Sequence, residues 1–299
     1  MKIGAFYLPE PVPELNSPIA LAVNRPWTDV SSVGSMALSA LEQYYNAKEL
    51  ARLKTPGFFF DFTRYRPTSI FRDNRRDFII PNALVYYAKR NKGNDLIFLH
   101  LLEPHMSGEV YVRSITRLLE HFGVQRYCTV GGMYDLVPHT RPLVITGSAV
   151  GAKAEEDIKK IDIQTRGRYQ GPTSILSMIS RDAADKDMET MTFLIHLPQY
   201  IQLEEDHMGK AKLLEALSIT LGLPKEIADT SEGEKQYQEI TKSVEDNHQV
   251  KALVKQFEAQ YDAAHPTKSP DQPPAPPGPK LSSEVEEFLK GLDLGGSGK

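Results

Sequence analysis

A nearly unbroken apolar run, DLIFLHLLEP at residues 95–104, limits the possible folds more than any other feature of this chain. A strand that is apolar on both faces is typical of the centre of a parallel sheet, because helices cover both sides of such a sheet. Residues 108–123 then carry apolar side chains at helical spacing and end at a glycine, and residues 126–132 form the next apolar run. Strand, helix and strand in this order predict a right-handed crossover between two parallel strands.

The same alternation of strands and helices extends over most of the 299 residues. Such an order is typical of a layered α/β domain. We therefore predict the fold class α/β, with a mostly parallel central sheet in a core domain that spans residues 1–232. Two short strands are also predicted around the polar turn RDNRR at residues 72–76. The remaining predicted strands are 18–23, 57–62, 143–148 and 188–198, and the remaining predicted helices are 32–47, 172–186 and 209–222.

The composition changes after the predicted core. Residues 233–264 have the pattern of a long helical segment, which we expect to pack on the core or at an oligomer interface. Residues 265–280 hold seven of the 21 prolines and are predicted to form an extended linker. Residues 281–299 are predicted to form a short amphipathic helix and a flexible tail. The chain therefore has one folded domain and a separate C-terminal extension.

Charge and composition exclude several classes of protein. The net charge of −4 argues against nucleic-acid binding, because phosphate contacts need a basic surface. The single cysteine, Cys128, is interpreted as a buried core thiol rather than a nucleophile. The first residues lack the apolar core of a signal peptide, and no run reaches the roughly 18 apolar residues of a membrane span. We expect a cytoplasmic protein with neither a membrane nor a nucleic acid as partner.

The common catalytic motifs are missing from the sequence. It contains no phosphate-binding glycine loop, nucleophile elbow, paired-histidine zinc motif or dinucleotide fingerprint. We accordingly predict no cofactor and no metal. Polar residues do follow the predicted strands, at the carboxyl ends where ligands collect in open α/β sheets. They are Asp61 and Arg66, Glu103, the pair Gly131 and Gly132, and then Asp135, His139 and Arg141 within DLVPHTRP at 135–142.

These polar residues allow two interpretations. They could line a pocket for an anionic ligand or for acid–base chemistry. They could equally form a structural brace in which Glu103 pairs with Arg66 or Arg141. A similar choice holds at Gly171 and Pro172, where helix-start amides could bind an anion or the residues could simply turn the chain. Residue types alone leave both interpretations open.

Six stretches resemble those of a known family, in the same order. They are PWTDVSSVG (26–34), DFTRYRPT (61–68), DLIFLHLLEP (95–104), TVGGMYDLVPHTRP (129–142), YQGPTSIL (169–176) and LPQYI (197–201). On these residues the chain resembles the proteasome-assembly-chaperone-2 family in its widespread prokaryotic form. It departs from the usual pattern at Pro26 and Leu102, where the family usually has glycine.

The resemblance implies a nucleoside-phosphorylase-like fold, often a homotrimer, and a chaperone-like or protein-binding role. Proteasome α subunits are then candidate partners, because relatives assist the assembly of α-subunit rings. The alternative hypothesis is an enzyme or binder that acts on a small anionic, nucleoside- or phosphate-like ligand. The candidate binding or structural residues are Trp27, Asp29, Asp61, Arg66, Glu103, Gly131, Gly132, His139, Arg141, Tyr169, Gly171 and Thr173.

Overall fold

A computed structural model describes residues 1–165 and 170–265 of the chain. The strands in these residues are β1 (Lys2–Ile3), β2 (Phe6–Tyr7), β3 (Ile19–Arg25), β4 (Lys48–Leu53), β5 (Thr68–Arg72), β6 (Arg75–Ile79), β7 (Leu84–Ala88), β8 (Leu96–Leu102), β9 (Arg126–Asp135), β10 (Ile145–Val150), β11 (Gln164–Thr165) and β12 (Glu189–Pro198). The α-helices are α1 (Val33–Tyr44), α2 (Gly108–His121), α3 (Ala152–Ile158), α4 (Ile175–Ala184), α5 (His207–Leu221), α6 (Ser231–Glu245) and α7 (His248–Ala264).

One large sheet organises the fold. Within the described residues it has ten strands in the order β1-β2-β4-β7-β8-β3-β9-β12-β10-β11. Its centre, β8-β3-β9-β12, is parallel, while β7 on one side and β10 on the other join it antiparallel. The predicted α/β fold is confirmed, with the parallel strands concentrated at the centre. Because parallel strands share a direction, the carboxyl ends of β8, β3, β9 and β12 meet at one edge of the sheet.

Helices cover the sheet on both faces. The side chains of β3 alternate, so that Ala20 and Ala22 pack in a cluster with α2 and α4, while Leu21 and Val23 pack with α1 and α5. Cys128 lies in the second cluster, where burial raises the pKa of its thiol to about 12. A thiol with such a pKa stays protonated near neutral pH, which agrees with a structural role.

The predicted strand at 57–62 is wrong, because a 3₁₀ turn (Pro56–Phe58) occupies its start. Phe59 and Phe60 are both buried, with ring centroids 5.2 and 6.0 Å from that of Tyr111. Consecutive residues of a strand point to opposite faces, so a strand could not direct both rings toward one tyrosine. Proline also removes a ladder donor where that strand would begin.

The predicted long helical segment at residues 233–264 is helical over nearly its whole length. The segment forms two helices, α6 and α7, separated by Asp246 and Asn247. The Asn247 side chain accepts hydrogen bonds from the amides of Gln249 and Val250, which makes it the N-cap of α7. Strands β4 and β7 were not predicted: β4 (KELARL) mixes charged and apolar residues, and β7 (LVYYA) is a short apolar run for which no element is predicted.

Candidate functional site

Glu103 lies directly after β8, at the carboxyl edge of the parallel strands. Its carboxylate accepts a hydrogen bond from the Asn24 side-chain amide on β3 and another, of 2.9 Å, from the Ile175 amide at the start of α4. Burial raises the pKa of Glu103, while these two donors act in the opposite direction. One amide at the start of α4, that of Ile175, is therefore bound by a carboxyl group of the same chain.

Neither of the two arginines considered as partners, Arg66 and Arg141, pairs with Glu103. Arg66 is exposed at the base of the β5–β6 hairpin, and Arg141 binds other carboxylates. A half-buried carboxylate needs hydrogen-bond donors rather than a full countercharge, and here neutral amides supply them. The strand-end residues are therefore divided among several separate contacts instead of facing one another.

Gly131 and Gly132 allow the loop after β3 to lie directly against β9. The Gly132 amide donates a 2.9 Å hydrogen bond to the Thr28 carbonyl, and a Cβ placed on Gly131 would be 2.1 Å from that same oxygen. Asp29, also in this loop, accepts hydrogen bonds from the amides of Gly34 (2.8 Å) and Ser35 (3.1 Å). The buried Asp29 thus holds the first turn of α1, and its neighbour Trp27 remains exposed.

Asp61 lies beside an open cavity of about 670 Å³ next to the loop after β8. The Asp61 amide donates a 3.2 Å hydrogen bond to His105 Nδ1, which assigns the histidine proton to Nε2. The Asp61 carboxylate accepts from the Thr63 amide and hydroxyl at 2.8 and 2.7 Å, and these bonds lower its pKa. Arg64 and His105 also line the cavity, with Phe60 and Phe62 as apolar walls. This cavity combines cationic or donor groups with aromatic surface.

His139, in DLVPHTRP, connects three parts of the fold. Its backbone amide donates to the Tyr200 hydroxyl at 2.8 Å, and that hydroxyl donates to His139 Nδ1 at 2.6 Å. Nε2–H then donates to Thr241 Oγ1 on α6 at 3.2 Å, because the Thr241 hydroxyl itself donates to the Tyr237 carbonyl. Burial lowers the pKa of His139, while nearby Glu258 acts in the opposite direction. The network accordingly requires a neutral imidazole.

Arg141 fixes α7 to the same segment. Its guanidinium forms a two-pronged pair with Asp262, both N–O distances being 2.8 Å, and a third contact with Glu258 at 3.3 Å. The Tyr261 hydroxyl also donates to the Pro142 carbonyl at 2.9 Å. The bond to Asp262 raises the pKa of Arg141, which therefore remains charged. The segment DLVPHTRP therefore binds both α6, through His139, and α7, through Arg141.

Asp135 begins a chain of hydrogen bonds that sequence patterns did not reveal. Its carboxylate is 2.5 Å from His196 Nδ1, and His196 Nε2 is 2.8 Å from Thr146 Oγ1. The bond to His196 lowers the pKa of Asp135. The three residues belong to β9, β12 and β10 and join these strands across the sheet. Since the partners are 61 and 50 residues apart, no local spacing could have indicated them.

The remaining candidates lie near the start of α4. Gly171 and Thr173 are exposed, and the Thr173 hydroxyl is 2.6 Å from that of Ser177. Tyr169, the linker and the C-terminal tail lie outside the described residues. Across residues 1–165 and 170–265, no three metal-binding side chains come together, and no helix is both long and apolar enough to cross a membrane.

The sequence profile of the PAC2 family matches residues 24–246. The chain belongs to the PAC2 family. The resemblance seen in the six stretches is thereby confirmed, and all six fall inside the matched range. A comparison with curated proteins finds no match.

Several solved structures share the PAC2 fold of this chain. A Corynebacterium glutamicum protein of unknown function has a TM-score of 0.76 at 21% identity, with 87% of this chain and 97% of that chain covered. A Mycobacterium tuberculosis proteasome-assembly chaperone homologue has a TM-score of 0.70 at 19% identity, covering 79% and 99%. A Pyrococcus furiosus archaeal proteasome activator has a TM-score of 0.61 at 18% identity, covering 82% and 100%. At these identities the likeness shows the fold.

Because His139 is neutral in the folded state, we expect this PAC2 family protein to lose stability in acid. Its folded-state pKa is lowered from the ordinary 6.5, so the unfolded chain binds a proton first as the pH falls. The stabilising contribution is therefore complete above a pH of about 6.5 and is lost as the pH falls toward the folded-state pKa. The free energy of unfolding in urea, measured from about pH 8 to about pH 5, should therefore decrease as the pH falls.

The matched variant is His139→Asn, which keeps an acceptor near the Tyr200 hydroxyl but does not titrate in this range. We expect its unfolding free energy to depend less on pH than that of the wild type. If the unfolding free energy depended equally on pH in the two proteins, His139 would not be the source of the pH dependence. The protection of α6 amides against hydrogen exchange, expressed relative to the intrinsic rate at each pH, should fall in acid in the wild type, since the imidazole contacts Thr241 of α6.

Proposed function

We propose that this protein is a non-enzymatic, oligomeric, protein-binding protein of the assembly-chaperone type. One observation carries the proposal: the ionisable side chains Glu103 and Arg141 at the strand ends are bound by other parts of the same chain. Glu103 is bound by Asn24 and the start of α4, and Arg141 is bound by Asp262 and Glu258. Side chains used in this way support the fold rather than a substrate.

Relatives suggest the class of partner. The structural neighbours include a proteasome-assembly chaperone homologue and an archaeal proteasome activator, each with nearly its whole chain covered. We therefore infer that proteasome α subunits are the partners to test first, with a homotrimer in the cytoplasm as the expected active form. Function does not follow from fold alone, so the inference needs a direct binding experiment.

The direct experiment is capture of purified α subunits by the immobilised full-length chain. We expect α subunits of the same source to be retained and to elute together with the chain in size-exclusion chromatography. Purified β subunits serve as the control for non-specific adhesion, and they should pass through. Equal retention of both kinds of subunit, or of neither, would contradict a specific proteasome role.

One cavity favours the alternative of a small anionic ligand. Arg64 is exposed and only loosely linked to Asp61, at 4.0 Å, and it lines the cavity together with His105. A thermal-shift screen with nucleotides and sugar phosphates tests this alternative. A ligand at 100 times its dissociation constant should add about 2.7 kcal/mol of stability, and Arg64→Ala should remove that gain. A screen without shifts would leave the protein-binding function as the better account.

A further inference from the structure

We propose that the acidic segment at residues 281–294 binds, in the same copy, to an exposed apolar surface around the start of α2. A protein partner that uses this surface must then displace the segment. Four large side chains form this α2-start surface, namely Phe58, Met106, Val110 and Met178. The inference goes beyond the proposed function, because it assigns a binding role to the sequence that follows the proline-rich linker.

The side chains of the α2-start surface are large, apolar and accessible. Phe58 is 56% exposed, Met106 47%, Val110 39% and Met178 38%. Single exposed apolar side chains are ordinary on protein surfaces, but a contiguous group of them marks a binding site. Methionine also adapts its shape to an apolar partner, because its side chain is unbranched and flexible.

Two loops form one half of the surface. The amides of His105 and Met106 donate to the Phe59 carbonyl at 2.9 and 3.1 Å, so the loop after β8 lies against the 3₁₀ turn that carries Phe58. Met106 also lines the cavity of about 670 Å³ described above, which opens beside the surface. The apolar area therefore continues into a space that can take a side chain.

Two helix starts form the other half. Val110 belongs to the first turn of α2, and Met178 belongs to the first turn of α4. The two starts are neighbours, since a Cβ placed on Gly108 would lie 3.7 Å from the Ile175 side chain. The four exposed side chains thus belong to adjacent elements and form one area.

The acidic segment has the sequence LSSEVEEFLKGLDL. Val285, Phe288 and Leu289 recur at i, i+3 and i+4, which places them along one side of a helix, and Gly291 suits the end of that helix. An amphipathic helix that lays its apolar side on an exposed apolar surface is a common mode of recognition. A helix this short is marginal by itself in water, so the contact also stabilises the helix.

The charge of the segment fits the edge of the surface. Residues 281–294 contain three glutamates, one aspartate and one lysine. Arg64 lines the cavity beside Met106, its side chain is 73% exposed, and it lies 4.0 Å from Asp61, at the limit of an ion pair. The carboxylates of the segment are therefore anions that the chain itself offers to Arg64.

The linker is long enough for this contact within one copy. At the end of α7, the His265 side chain is hydrogen-bonded to that of Gln164 on β11. The α2-start surface follows β8, which lies five strands further along the sheet, or about 24 Å at about 4.8 Å per strand. An extended proline-rich chain spans about 3.1 Å per residue, so the 15 residues 266–280 reach about 46 Å.

Tethering makes even a weak contact effective. A short tether holds a segment at an effective concentration of about 1 mM. With a dissociation constant of about 0.1 mM, the surface is covered about ten times more often than it is open. A protein partner competes with the covered state, so its apparent affinity should rise about tenfold when the segment no longer binds.

Hydrogen exchange of the full-length protein tests the contact. Phe288→Ser with Leu289→Ser should make the amides of residues 105–111 exchange about tenfold faster than in the wild type. The matched control is Glu287→Ser with Lys290→Ser, which changes the opposite side of the helix and keeps the net charge, and it should exchange like the wild type. An apolar variant that exchanges like the wild type, or a control that exchanges as fast as the apolar variant, would overturn the inference.

A cysteine pair in the full-length protein tests the position of the segment. With oxidised glutathione, Met106→Cys with Leu289→Cys should form a disulfide within one chain at least about tenfold faster than Ile219→Cys with Leu289→Cys. Ile219 is 41% exposed and lines a cavity with Asn94, which precedes β8, so it lies at the opposite edge of the sheet. The native Cys128 is buried and does not compete. A disulfide between two copies, or equal rates for both pairs, would overturn binding within one copy. Neither measurement involves proteasome subunits, so this inference and the proposed function can fail independently.

Discussion

Replacing Gly131 by alanine is expected to lower the free energy of unfolding by about 3 kcal/mol. A Cβ at this position would lie 2.1 Å from the Thr28 carbonyl oxygen, which belongs to the backbone and cannot rotate away. The loop after β3 would have to move away from β9. The hydrogen bond from Gly132 to Thr28 would then be lost, and Asp29 would no longer bind the first turn of α1. Chemical denaturation at equilibrium measures the loss.

The control is Gly108→Ala at the start of α2. A Cβ there meets only the Ile175 side chain, at 3.7 Å, which is an ordinary contact. Because alanine is a better helix former than glycine, this variant should be neutral or slightly more stable. If Gly131→Ala were as stable as Gly108→Ala, the close approach of the loop to β9 would be refuted.

Replacing Arg126 by methionine should have an equal or larger effect, about 3–5 kcal/mol. Arg126 is only 4% exposed and binds Glu189 at 2.6 and 2.9 Å and Asp157 at 2.7 Å. Without it, two neighbouring carboxylates lose a shared countercharge. Glu189 also accepts hydrogen bonds from the amides at the start of α3, so the damage should extend to that helix.

Arg52→Met provides the comparison for Arg126. Arg52 also pairs with a carboxylate, that of Glu49, but on the surface of β4. Exposed ion pairs contribute at most about 1 kcal/mol, so this variant should unfold close to the wild type. Equal losses of unfolding free energy in the two variants would mean that burial of the ion pair does not determine the cost of removing its arginine.

Asp157 retains Lys160 at 2.6 Å, so Glu189 is the carboxylate that loses its countercharge. A partial recovery on adding Glu189→Gln to Arg126→Met would show that this uncompensated carboxylate causes the loss.

Much of the sheet and its helices could be predicted from the sequence. The run at 95–104 indicated a buried parallel strand, and β8 is buried on both faces, with β3 parallel on one side and β7 antiparallel on the other. The strands outside the parallel centre of the sheet were harder to predict from the sequence. β4 (KELARL) carries three charged residues because only part of its surface is buried, so its pattern resembles that of a loop. β7 (LVYYA) is apolar but only five residues long, too short for its pattern to distinguish a strand from a buried helix segment.

The candidate residues illustrate a second limit. DLVPHTRP was recognisable as a distinctive segment, but its interpretation depended on partners far along the chain. Arg141 meets Asp262 across 121 residues, and His139 meets Thr241 across 102. No spacing within one segment encodes such pairs, so the sequence left the partner of Glu103 open between an arginine and a ligand.

The order of apolar runs was therefore enough to determine the α/β class, and the six motif stretches were enough to indicate the family, since each depends on patterns within a few tens of residues. Tertiary structure decided whether the strand-end side chains form a pocket or a brace. The physical reason is that a charged side chain takes whichever donor or countercharge the fold brings within about 3 Å of it. For Glu103 that donor is a helix start, and for Arg141 it is the C-terminal helix.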